Sequence, residues 1–155
     1  MENLPILNLP SFEFTIKTEN GKKYILDLIR KMYLALTPEE WVRQNFIAYL
    51  VQVKNFPKGL ISIEKKVDVN SMNQRTDIVV YDRSANPLII IECKSTDVKL
   101  TDKVFEQIAR YNKTIKAKYL IVTNGLTHYC CKMNYKTQSW EFTTEIPDYK
   151  SISEE

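Results

Sequence analysis

RTDIVVYDRSANPLIIIECK, residues 75–94, contains two short apolar runs, Ile-Val-Val-Tyr at 78–81 and Leu-Ile-Ile-Ile at 88–91. They are joined by Asp82-Arg83-Ser84-Ala85-Asn86-Pro87, in which Asp82, Ser84, Asn86 and Pro87 all favour a turn. Two strands and a tight reversal are expected. Neither run alternates with polar residues, the pattern of strands covered on both faces, so the hairpin belongs in the middle of a sheet. Apart from Asp82 and Arg83 in the turn, charge gathers at the open end of the hairpin. Asp77 opens the first run, while Glu92 and Lys94 close the second and, two residues apart, share one face of a strand. Antiparallel pairing puts Asp77 at the same end of the hairpin as Glu92. Ionised groups at the rim of a buried sheet are costly unless paired or metal-bound.

The chain has 155 residues, enough for a single domain over 1–155 with a full core. Its 44% hydrophobic and 26% charged content is that of ordinary globular proteins. No apolar run reaches the ~18 residues of a membrane span. MENLPILNLP has no basic region of the kind that opens a signal peptide, so a cytoplasmic location with no membrane partner is expected. Cys93, Cys130 and Cys131 lack metal spacing and read as reduced packing residues, with adjacent Cys130 and Cys131 on opposite strand faces. His128 is the sole histidine, which excludes multi-histidine metal sites. Gly21, Gly59 and Gly125 form no phosphate-binding or dinucleotide-binding loop. A net charge of +3 selects no partner by itself.

Outward from the central hairpin, residues 11–18 alternate apolar and polar before an Asn20-Gly21 hairpin turn, giving a hairpin extension over 1–23. Residues 22–36 are ambiguous: Tyr24 and Ile25 can pair back as a strand, or Leu28, Ile29, Met32 and Tyr33 can form a short helical stripe. Thr37-Pro38-Glu39-Glu40 is a capping box that starts a helix running to about Lys54. Its expected apolar stripe is Val42, Phe46, Tyr49, Leu50 and Val53, and counting back along it reaches Glu39. Glu40 falls on the neighbouring face with Arg43 and Gln44, where capping accounts for it. Residues 60–69 alternate as a strand with one exposed face, and NSMNQ at 70–74 turns the chain into the central hairpin. A second helix is expected over Lys103–Tyr111, with Gln107 and Tyr111 on one face. KYLIVT at 118–123 reads as a buried strand, HYCCKM and SWEFTTEI as a final hairpin, and 150–155 as a frayed tail. The order of elements indicates an α/β or α+β fold, a sheet flanked by helices.

Four acid-x-Lys triplets occur, at Glu64, Glu92, Asp97 and Asp148. Only Glu92-Cys93-Lys94 follows four consecutive apolar residues and has a second acid, Asp77, on the paired strand. Two carboxylates suit a hard divalent cation such as Mg²⁺, which takes one or two carboxylates plus waters and substrate phosphate. The backbone carbonyl of Cys93 would face the same ion. A water on that ion ionises more readily, and Lys94 can orient the water and offset developing charge. Phosphodiester hydrolysis is the chemistry this set would serve.

These residues resemble the PD-(D/E)xK nuclease superfamily, and Gln107-x-x-x-Tyr111 looks like the QxxxY element of one of its branches. TPEEWVRQ, RTDIVVYD, IIIECKS, QIARYN and YLIVTNG are similar in order and spacing to the N-terminal nuclease domain of type I restriction enzyme R subunits, in its short stand-alone version, over about residues 24–132. The resemblance implies a restriction-endonuclease-like αβββαβ core with a mixed central sheet. It also implies Asp77 and Glu92 as metal ligands, Lys94 as catalytic lysine, Glu39 as a helix-borne acid near the metal, and Gln107 and Tyr111 as DNA-positioning residues. Mg²⁺ would be the cofactor, with Mn²⁺ able to substitute, and DNA the substrate. Restriction-modification subunits or a separate motor protein would be partners, and the oligomeric state is left open, a dimer included. The proline of the superfamily's name is absent, Thr76 standing before Asp77, and no helicase motor is present. Two other readings stand beside the DNA nuclease: a non-catalytic nucleic-acid-binding or assembly module that keeps the fold, and an RNA substrate.

Overall fold

The computed structural model describes residues 4–63, 67–69, 72–74 and 78–155, with backbone only at 67–69, 72–74, 111, 113 and 114. Its centre is the hairpin read from the sequence. β7 (Ile78–Tyr81) pairs antiparallel with β8 (Pro87–Cys93), Ile78 opposite Ile91 and Val80 opposite Ile89. Asp82 makes the turn: its carboxylate accepts from the backbone N–H groups of Ser84 and Asn86, both at 2.8 Å, while Ala85 takes the left-handed φ of 63°. β8 continues parallel to β9 (Tyr119–Thr123), which pairs antiparallel with β10 (His128–Asn134), and β10 with β11 (Ser139–Phe142). β4 (Ile61–Ile63) closes the other edge beside β7, giving the mixed order β11-β10-β9-β8-β7-β4. Both central strands are covered on both faces, as their unbroken apolar runs require.

Alternation along β8 sorts its side chains between two cores. Ile89, Ile91 and Cys93 face α1 (Pro38–Gln52), packing with Val42, Phe46 and Leu50. Ile90 faces α2 (Asp102–Ile115), packing with Phe105, Ile108, Leu120 and Val122. Cys130 and Cys131 fall in opposite cores, as adjacent strand residues must, and both are free thiols. Burial pushes the Cys131 thiol up to about 12 and raises that of Cys130 as well, which leaves both protonated and inert at neutral pH. Within this sheet and its two helices, α1, β4, β7, β8, α2 and β9 follow the αβββαβ order.

A further layer lies over α1. β1 (Ile16–Glu19) and β2 (Lys22–Leu26) form the expected hairpin about Asn20 and Gly21, both left-handed, and β3 (Tyr33–Ala35) adds a third antiparallel strand. The helical alternative for Leu28 to Tyr33 is not adopted. Asp27, fully buried, instead accepts from the N–H groups of Ile29 and Arg30 and pairs with the Arg30 guanidinium at 3.0 Å, holding a turn between β2 and β3. The segment before β1 docks as well: Asn8 N–H donates to the Gly125 carbonyl, and Trp41 Nε1 donates to the Pro5 carbonyl.

Three other expectations are corrected. The expected strand over 60–69 is described at Ile61–Ile63, as β4, and at Val67–Val69, as β5, which pairs antiparallel with β6 (Met72–Gln74); residues 64–66 lie outside the described residues. Met72–Gln74 is therefore strand rather than turn. The tail is not frayed, because Asp148 caps α3 (Tyr149–Ser153) and sends Ile152 into the α1-side core, 1% exposed. Val53 does not continue the buried stripe of α1; it follows the helix and stands exposed.

Candidate active site

β8 delivers Glu92 and Lys94 to one rim of the central sheet. Glu92 is 9% exposed and shares the α2-side face with Ile90. Lys94 Nζ lies 3.0 Å from Glu92 Oε1, so the two groups expected to meet do meet. The rim is anchored through β9: Glu92 pairs with Val122, Cys93 with Thr123, and Lys94 N–H donates to the Thr123 carbonyl at 2.8 Å. Cys93 ends the strand with its side chain buried in the α1-side core.

Asn124 fastens the loops around this rim. Its amide nitrogen donates to the Val98 carbonyl at 2.9 Å, and its oxygen accepts from the N–H groups of Leu126 and Thr127. The loop after Lys94 and the loop after β9 are thereby tied together. Nothing but its Asn-Gly turn chemistry marks this residue in the sequence. His128 stands at the same rim on the α1 side, next to Phe46. Its Nε2 lies 2.9 Å from the Asn8 carbonyl and so carries the proton, leaving Nδ1 to accept from the Thr123 hydroxyl at 2.6 Å. With both nitrogens engaged, the ring is a structural bridge.

The two acids of α1 exchange the places expected of them. Glu40 is buried and Glu39 half-buried. Glu40 N–H is capped by Thr37 Oγ1 at 3.0 Å, while its carboxylate takes the Arg43 guanidinium at 2.8 Å and the Gln44 amide at 3.3 Å. Glu39 pairs with the same Arg43 at 2.9 Å. The face holding Glu40, Arg43 and Gln44 is covered because Gln44 reaches the backbone of Leu28 in the N-terminal layer. α1 lies against the opposite face of the sheet from the one to which Glu92 alternates.

On α2, Gln107 is exposed, on a different side from the buried Phe105 and Ile108. The Tyr111 side chain and the whole of Asp77 lie outside the described residues. Among the described residues no group of three or more histidine, cysteine or acidic side chains is arranged to hold a metal ion, and no helix is long and apolar enough to cross a membrane.

The family model for the type I restriction enzyme R protein N terminus matches residues 38–147, more than half of the chain. The chain belongs to that family. The match begins at the first residue of α1 and runs past β11, so the part of this R protein N-terminal family member that it covers holds the central sheet and its two flanking helices. Among solved structures, the chain is similar to a fragment assigned to the HsdR subunit of a type I restriction enzyme from Vibrio vulnificus YJ016, with a TM-score of 0.55 and 16% identity. That likeness covers 78% of this chain and 25% of the fragment, and at such identity it concerns the fold alone. No curated protein sequence matches the chain.

Proposed function

We propose that this R protein N-terminal family member is a Mg²⁺-dependent DNA endonuclease domain of PD-(D/E)xK type, acting within a type I restriction-modification system. The observation that carries the reading is the Glu92–Lys94 pair, a carboxylate and an ammonium 3.0 Å apart at the end of an otherwise apolar core strand. Asp77 is the second acid. It is bonded to Ile78, which pairs with Ile91, the neighbour of Glu92, and consecutive Cα atoms stand only ~3.8 Å apart. A donor set of two carboxylates and the Cys93 carbonyl suits a hard cation that keeps several waters. Mn²⁺ can substitute on the same oxygen ligands.

When bound, the cation would lower the pKa of a water and neutralise phosphoryl charge. The chain's own residues have separate tasks. Glu92, held by β9 on one side and Lys94 on the other, fixes the position of the ligand oxygen. Lys94 holds a proton at Nζ beside the attacked phosphate and stabilises charge that develops there. Gln107, exposed on α2, and Tyr111 one turn further would contact the DNA backbone, and Glu39 would be the helix-borne acid. Other restriction-modification subunits or a separate motor protein would present the DNA.

The test is incubation of the purified chain with linear, circular, single-stranded and methylated DNA in Mg²⁺ or Mn²⁺. Cutting is expected, and Asp77→Ala, Glu92→Ala and Lys94→Ala should each abolish it; activity surviving in all three would end the proposal. The 3.0 Å ion pair also favours a second reading, a non-catalytic nucleic-acid-binding or assembly module, since Glu92 and Lys94 can simply neutralise each other. Mn²⁺ binding that depends on Asp77 and Glu92 decides for the nuclease.

A further inference from the structure

A cavity of about 640 Å³ lies between the C-terminal half of α2 and the β10–β11 hairpin, within the ~300–1,000 Å³ of typical ligand sites. Arg110 and Lys116 line it from the helix, and Met133, Tyr135, Gln138 and Trp140 from the hairpin. Its walls are built. Buried Asn112 donates to the Tyr135 hydroxyl at 2.8 Å and accepts from Ala117 N–H at 2.7 Å, and the Tyr135 hydroxyl donates to the Ala117 carbonyl. Trp140 is 42% exposed although it belongs to a strand. Arg110 and Lys116 make no salt bridge among the described residues, and Glu106 is the one acid on the lining.

An open indole beside two uncommitted cations, with the Asn134 and Gln138 amides on the same lining, is matched by a planar base with its flanking phosphates. An apolar peptide would leave both cations without partners. Register relates the cavity to the site on β8. Glu92, Val122 and Tyr129 are successive cross-strand neighbours on the α2 side, and Met133, four residues along from Tyr129, pairs with Trp140. At ~4.8 Å between strands and ~3.3 Å per residue, Trp140 stands about 20 Å from Glu92. Phe142 and Tyr129, ring centroids 6.2 Å apart and both exposed, lie between them.

We infer that this cavity is a single-strand subsite: an unpaired base stacks on Trp140 while its phosphates engage Arg110 and Lys116, about 20 Å from the cleavage site. The inference rests on the nucleic-acid reading of the protein but not on its chemistry.

The test uses the full chain carrying Trp41→Phe, so that Trp140 is the one tryptophan left, titrated with deca-thymidylate in metal-free buffer. Trp140 fluorescence should be quenched, less so at higher salt. Arg110→Glu with Lys116→Glu should weaken binding at least tenfold, and Trp140→Ala, followed by anisotropy of a labelled strand, about tenfold. Lys22→Glu, the same charge reversal at an exposed position on β2, should bind as the parent does. Fluorescence that stays constant, quenching indifferent to the charge reversals, or equal affinity for a blunt duplex would overturn the subsite. A chain that binds the strand but cuts nothing sinks the nuclease and leaves this inference standing; one that cuts with Trp140 silent does the reverse.

Discussion

Lys94 Nζ stands 3.0 Å from Glu92 Oε1, and the backbone N–H of the same lysine is tied to Thr123 on the parallel strand. The pair therefore has little freedom to separate without disturbing the sheet, a requirement for groups that must act together on one phosphate. The nuclease proposal assigns them different work, and different variants should show it. Glu92→Ala is expected to lose both Mn²⁺ binding by calorimetry and DNA cleavage. Lys94→Ala should keep Mn²⁺ binding and lose cleavage by about 10²–10⁴-fold, the usual worth of a positioned proton-transfer group. Lys94→Arg should not restore the rate, because a guanidinium keeps its proton and has another shape. Full cleavage by Lys94→Arg would remove the proton-transfer role.

Glu39 and Glu40 can be separated by stability. Glu40 is buried against buried Arg43, and removing one partner of such a pair leaves a charge uncompensated at a cost of about 3–5 kcal/mol. Because Glu39 also engages Arg43, Glu40→Ala should fall at the lower end of that range in urea unfolding. Glu39→Ala, at a half-exposed position, should cost less than about 1 kcal/mol. If Glu39 serves the reaction as proposed, its alanine variant loses cleavage while keeping its urea midpoint. Unchanged cleavage would leave Glu39 as no more than a partner of Arg43.

The contrast between these acids shows where the sequence could be read and where it could not. The hairpin about Asp82 and the pairing of Glu92 with Lys94 were legible because an unbroken apolar run has one physical reading, burial on both faces, and alternation then fixes every side chain. α1 was misread because its stripe was counted as though one face met protein. In fact β1–β3 and residues 5–9 cover it from behind, burying Glu40, Arg43, Gln44 and Asn45, and no local pattern announces a second layer. Asp77, on which half of the proposed metal site depends, lies outside the described residues.

The C-terminal helix yields a prediction that treating 150–155 as loose would miss. Ile152 is 1% exposed in the α1-side core, and Glu155 accepts from the Tyr119 hydroxyl at 2.7 Å. Burial raises the Glu155 carboxyl, but Tyr119 and Lys132 outweigh it and hold it below the usual range. Ile152→Ala should cost about 2–3 kcal/mol by lost burial and a partly collapsed cavity, read as a lower urea midpoint. Ser153→Ala, exposed on the same helix, should change it little. Equal effects from both variants would argue that the helix does not dock as a unit.

His128 gives the chain a pH dependence whose sign follows from its surroundings. Burial beside Phe46 pushes its pKa below the ordinary 6.5, outweighing the bond to the Asn8 carbonyl that favours the charged ring. An unfolded chain thus takes up the proton at a higher pH than the folded one, so between the two values stability rises with pH. The urea midpoint should be flat above about pH 7 and fall as pH drops through about 6.5 toward the lower folded value. Protonation would force Nδ1 to give up its bond from the Thr123 hydroxyl, loosening the junction of residues 5–9 with the β9–β10 corner. His128→Gln should flatten the profile in that window. It should leave the more acidic loss untouched, since the carboxyls of Asp82, Asp148 and Glu155 are all held below their ordinary values and titrate there. The same decline near pH 6 in the glutamine variant would assign the effect to other groups.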